Sequence, residues 1–162
     1  MIDMKKIAPV LVLVLLSLWL AACGSGGGAK ASGDVKATDD LALKFIQAKI
    51  EGDHALYKTI LSKKATLMNI LQEGRHAHPG LFEEMGERYS IHRYEKEPTK
   101  EGTLHYKVTM YHAVNKKRTA EFLEMVKEEG QWKVLPIDGD EAERKVGVDN
   151  GVTVHEYKEG ED

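Results

Sequence analysis

The chain has 162 residues, with 23 Lys plus Arg against 26 Asp plus Glu and a formal net charge of −3. That mild acidity gives no electrostatic basis for binding nucleic acid, which needs a clustered basic face, so no nucleic-acid partner is expected. The single cysteine, Cys23, has no partner for an internal disulfide.

Residues 1–6 carry Lys5 and Lys6, and Ile7 to Leu20 is an almost unbroken apolar run that leads into the small residues Ala21 and Ala22. A charged start, a short apolar stretch and a small-residue cleavage zone are the parts of an export signal. The run is also shorter than the ~20 residues a spanning helix requires. Leu20-Ala21-Ala22-Cys23 resembles the lipobox of bacterial lipoproteins. The resemblance implies that residues 1–22 are a signal peptide and that Cys23 becomes the first mature residue. Its sulfur would carry a diacylglyceryl group, with further acylation by chains such as palmitate. Two or more acyl chains hold a protein stably, since each buried methylene contributes about 0.8 kcal/mol. The expected location is the bacterial cell membrane, on its outer, extracytoplasmic side.

Gly24 to Ala37 reads GSGGGAKASGDVKA, a composition without core-forming residues. Residues 23–37 are therefore expected to be a flexible tether of roughly 20 Å by random-coil scaling. The folded domain is expected over 38–158, with 159–162 as an acidic tail. Thr38 suits a helix N-cap, with Asp39 and Asp40 in the first turn. Leu41, Phe45 and Ala48 share one helical face, flanked by Ala42, Ile46 and Ile50. Gly52 then stops the helix and Asp53 caps a second one, whose apolar stripe is Leu56, Tyr57, Ile60 and Leu61. GRHAHPG, residues 74–80, is a break.

Past Gly86 the pattern alternates. Leu104, Tyr106, Val108, Met110, His112 and Val114 share one strand face, with Thr103, His105, Lys107 and Thr109 on the other. Strands over 88–96, 103–114, 118–128 and 131–137 form an antiparallel meander, and Asp149-Asn150-Gly151 between Val146/Val148 and Val152/Val154 predicts one more hairpin. Helices followed by consecutive strands give an α+β fold, with the sheet closing over the helices.

Asp40 to Ser62, DLALKFIQAKIEGDHALYKTILS, and the strand Gln131-Trp132-Lys133-Val134 after a glycine turn are similar to NTF2-like domains. Within that superfamily the chain most resembles small lipoproteins with a lumazine-binding-like domain, the DUF4878 group. The likeness covers about residues 38–138. It implies a cone in which a curved antiparallel sheet wraps the N-terminal helices and leaves a pocket. The acid/base pair that enzymes of the superfamily place there has no counterpart that aligns with this chain, so no catalytic residue is assigned.

Several residues qualify for a site. His112 shares the apolar face of its strand, where an imidazole can serve as acid or base near neutral pH. Tyr106, Met110 and Trp132 either pack the core or line the cone. Glu124 projects into a pocket or pairs across the sheet with Lys107 or Lys133, and the cross-strand pair is the simpler reading. His105, on the opposite face, is expected in solvent. His76 and His78 are two imidazoles one residue apart, which hold a metal only with a third ligand. With neither an HExxH motif nor a second cysteine in the sequence, no metal or other cofactor is expected. The reading is a non-enzymatic lipoprotein module for a small ligand, peptide or partner protein. The alternatives are a pocket enzyme or ligand carrier using His112 and, behind it, metal capture by His76 and His78. A homodimer through the sheet is one expected assembly.

Overall fold

The computed structural model of the protein describes residues 26–66, 77–94, 103–112, 116–146 and 151–160, with side chains from residue 33 onward. The elements are α1 (Gly26–Glu51), α2 (His54–Ile60), α3 (Leu81–Glu84), β1 (Tyr89–Tyr94), β2 (Leu104–His112), β3 (Lys117–Glu128), β4 (Gln131–Ile137), α4 (Gly139–Val146) and β5 (Val152–His155). The chain divides into two units, 1–35 and 36–162, and the second holds the sheet and its packed helices. No helix among the described residues is long and apolar enough to cross a membrane.

From Lys36 onward α1 is organised by one face. Thr38, Ala42, Phe45 and Ile46 recur at helical spacing and are fully buried. The helix ends in a Schellman motif, because Gly52 takes a φ of 68° and the Asp53 N–H reaches back to the Ala48 carbonyl at 2.9 Å. Asp53 then caps α2, its carboxylate accepting from the Leu56 N–H at 2.9 Å. Both boundary signals act as the sequence predicts. The predicted start of α1 does not: the helix takes in residues 26–37, where composition reads as tether, so Thr38 is an interior residue and not an N-cap. A Lys36–Asp40 ion pair of 2.7 Å bridges one turn across that point, although solvent screens such exposed pairs and they add little stability.

The predicted meander is present. The sheet order is β4-β3-β2-β1-β5, with every described pairing antiparallel. The β3–β4 turn puts both Glu129 and Gly130 at positive φ, 52° and 80°, the geometry that matches the twist of a two-residue hairpin. Register sets Tyr89 beside Met110, Ile91 beside Val108, Tyr106 beside Leu123 and Met125 beside Val134. These residues form one apolar inner face, and it packs against Phe45, Ile46, Tyr57 and Ile60 of α1 and α2. The Phe45 and Tyr57 rings lie 5.4 Å apart. Leu41, Leu56 and Trp132 are partly buried against the same cluster. At the β4 edge Leu61 forms a parallel bridge with Val134, and the Ser62 N–H donates to the Val134 carbonyl at 2.8 Å. Part of that edge is thus paired by the chain itself.

The C-terminal region departs from expectation. Val146 does not open a hairpin toward Val152; it closes α4 and is buried there. α4 packs on the back of the sheet, where Gly139 lies against the Phe122 ring. β5 instead pairs with β1, joining His155 to Ile91 and Thr153 to His92. The His155 imidazole stacks on Tyr89 with centroids 4.2 Å apart. Glu159, expected in a frayed tail, forms an ion pair with Arg118, whose guanidinium lies 3.9 Å over the Tyr157 ring. β5 fits closely because Gly151 lacks a side chain: a Cβ there would run into the Arg93 carbonyl and the His92 imidazole.

This packing sets the cost of two substitutions. Phe45→Ala should lower unfolding free energy by about 3–5 kcal/mol in urea titrations, the range for emptying a filled aromatic site. Gly151→Ala should abolish hydrogen-exchange protection in β5 while the β2 and β3 amides keep theirs.

Candidate functional site

Among the described residues, a largely buried polar grouping is built into each face of the sheet. On the inner face, Tyr106 of β2 meets the first buried turn of α1. Its phenol oxygen is 2.7 Å from both Thr38 Oγ1 and Asp39 Oδ1. The phenol has one proton, and a carboxylate only accepts, so Tyr106 donates to Asp39 and Thr38 donates to Tyr106. Arg93 of β1, opposite Tyr106 in register, donates to both Asp39 oxygens at 2.8 and 2.6 Å. The Arg93 and Asp39 side chains are only 13% and 21% exposed, so solvent screens this pair weakly. Burial raises the Tyr106 pKa above the ordinary phenol range, with the bond to Asp39 adding to the rise against the opposing bond from Thr38. A phenol so held stays protonated across physiological pH. The arrangement therefore orients and locks α1 on the sheet and does not supply an acid or base.

On the back face, Glu124 of β3 is paired in register with His105 of β2. Glu124 Oε2 accepts from the Lys145 ammonium of α4, and Lys145 also reaches Glu141 at 2.8 Å. The His105 Nε2 lies 3.7 Å from the same Glu124 oxygen and is buried without a hydrogen-bond partner. His105 is 7% exposed, in contrast to the solvent position its strand alternation suggests. The reason is α4, which brings Lys145 onto Glu124 beside the imidazole. Glu124 likewise pairs with neither Lys107 nor Lys133. Lys145 holds it, Lys107 lies 5.7 Å over the Phe122 ring, and Lys133 donates to the Thr59 carbonyl at 2.6 Å.

The remaining residues singled out by sequence are dispersed. Tyr106 and Met110 have no accessible surface and are core. Trp132 is partly buried at the core's margin, with the Lys127 ammonium 4.6 Å over its ring. His112 ends β2, half-buried, opposite Lys117. His78 is exposed and donates its backbone N–H to the Glu51 carbonyl at 2.8 Å. The Glu51 carboxylate in turn accepts from the Gly80 N–H at 2.9 Å, which fixes the loop to the end of α1. Cys23 and His76 lie outside the described residues. Among the described residues no three His, Cys, Asp or Glu side chains gather as a metal-holding group. Thr38, Asp39, Arg93, Lys145 and Glu141 are not marked as site residues by the sequence. Thr38, Asp39, Arg93 and Lys145 each belong to a pairing between elements far apart in the chain, whereas Glu141 joins through Lys145 one turn away in α4.

The chain matches no family model, no curated protein and no solved structure.

Tyr106→Phe removes the phenol proton from Asp39 while leaving the ring in place. Unfolding free energy should fall by about 1.5–3 kcal/mol, the range for a hydrogen bond to a charged group, measured by urea denaturation. An unchanged midpoint would mean that the inner network does not hold α1.

Proposed function

We propose that this protein is a lipid-anchored, extracytoplasmic and non-enzymatic module with an NTF2-like domain, and that it engages a peptide or partner protein through its outer surface. The observation that carries the reading is the filled inner face. Tyr106, Val108, Met110, Leu123, Met125 and Val134 have no accessible area. A void large enough for one water would leave accessible area on the side chains lining it, so none adjoins these residues. Ligand sites are concave spaces of about 300–1,000 Å³, and Tyr106 and Met110, expected to line such a space, are packed in the core with Phe45, Ile46 and Tyr57 instead. The polar groups nearest them are committed to one another, Tyr106 to Asp39 and Asp39 to Arg93. This supports contact on the outside over chemistry on the inside. It also weakens the pocket enzyme or carrier reading, since His112 stands at the end of β2, half-buried and opposite Lys117. The α+β order of helices, then meander, agrees with an NTF2-like domain at that level.

The anchor rests on Leu20-Ala21-Ala22-Cys23. Acylation needs a thiolate, so Cys23→Ala should leave an uncleaved precursor or release the protein from the membrane fraction. A Cys23→Ala protein at mature mass in the membrane fraction would contradict it. Native mass spectrometry of the full-length protein in mild detergent tests the rest. The lipidated mass without a small molecule is expected, and a small molecule retained at one per chain would favour the carrier.

A further inference from the structure

α4 has eight residues, well below the ~12–15 that give an isolated helix even marginal stability in water. Its helicity therefore depends on docking. Docking includes the approach of Gly139 to Phe122 and the Lys145–Glu124 ion pair, and it leaves Ala142 and Val146 buried. Behind that pair lies His105, only 9% exposed at its side chain, with a buried and unpartnered Nε2 3.7 Å from the carboxylate that Lys145 holds. Glu124 thus has two cationic suitors, one permanent and one conditional on a proton.

We propose that α4 is a strap released by acid: a proton on His105 Nε2 draws Glu124 away from Lys145 and frees helix 139–146 from the back of the sheet. The groups facing His105 are Glu124 on β3, Lys145 and Glu141 on α4, and Tyr94, its register partner on β1. His92 packs edge-on against Tyr94 at 5.0 Å, and Lys107 projects from the same face of β2. Two carboxylates meet one full cation in the docked state. A second buried cation must either share Glu124 with Lys145 or displace it, and Lys145, 35% exposed, has solvent open to it while His105 does not. Burial above all, with Lys145 adding to it against the opposing pull of Glu124, holds the His105 pKa below the ordinary imidazole value. The released form, with the imidazole in water, then binds the proton more tightly. Docking is at full strength above about pH 6.5 and weakens as pH falls toward the docked-state pKa, by up to about tenfold in the opening constant per pH unit for one proton. Release uncovers the back face around Phe122, Glu124 and His105.

Hydrogen exchange on the full-length protein, corrected for the intrinsic pH dependence of amide exchange, tests this between pH 7.5 and 4.5. Protection of 139–146 should fall by up to about tenfold per pH unit below 6.5, while β2 and β3 amides hold theirs. His105→Gln should flatten the α4 profile. If that variant does not fold, the native protein still decides. The His105 imidazole resonance and the α4 amide shifts should then titrate with one midpoint, below 6.5. A flat α4 profile, loss of α4 and core protection together, a His105→Gln profile like the native one, or separate midpoints would each overturn the strap.

Discussion

The packing of Phe45 and Ile46 against the inner face of the sheet is the constraint on which the rest depends. A single antiparallel sheet needs a cover for one face, and in this chain the cover is α1 together with α2. Once Phe45 and Tyr57 meet Val108, Met110 and Leu123 in one cluster, the positions of the polar groups are set. Asp39 is carried to the open end of Tyr106, and Arg93 is brought beside it by the β1–β2 register. Burial then turns two polar residues and an ion pair into a lock, because none of them retains enough water to be satisfied without the others.

The two faces differ for the same physical reason. The inner face is apolar, filled and closed by α1 and α2. The back face is covered in part by the eight residues of α4 and carries the His105–Glu124–Lys145 grouping. Stability concentrates in the first and conditional behaviour in the second, as expected where a short element is held by few apolar contacts. A module that acts by surface contact has more use for a labile outer element than for a labile core.

Much of the fold is legible in the residues. Gly52-Asp53 marks a helix stop and a helix start by backbone and side-chain rules that need no tertiary information, and both operate. Alternation from Leu104 to Met110 identifies the inner face because the apolar set is unbroken over those positions. Legibility fails where tertiary partners override local preference. Thr38 has the side chain of an N-cap, but its hydroxyl is used by Tyr106, across 68 residues of sequence. His105 alternates as a solvent residue, and only the docking of α4 buries it. The Asp-Asn-Gly hairpin signal rests on local turn chemistry; Asp149 and Asn150 lie outside the described residues, while Val146 closes α4 and β5 pairs with β1. The site is less legible than the fold, since its members come from α1, β1, β2, β3 and α4 and no local spacing links them. Tyr106 and Met110 face inward by their alternation, but a sequence cannot say whether the space before them is full.

Whether that space is full decides between a surface-acting module and a pocket protein, and xenon tests it directly. Apolar cavities as small as about 150 Å³ take up xenon or benzene. Xenon titrated into the protein should therefore find no site beside Val108, Met110, Leu123, Met125 and Val134, whose methyl resonances should shift only weakly and linearly with pressure. Saturable shifts confined to those methyls would reveal an enclosed space on the inner face and contradict a surface-acting module.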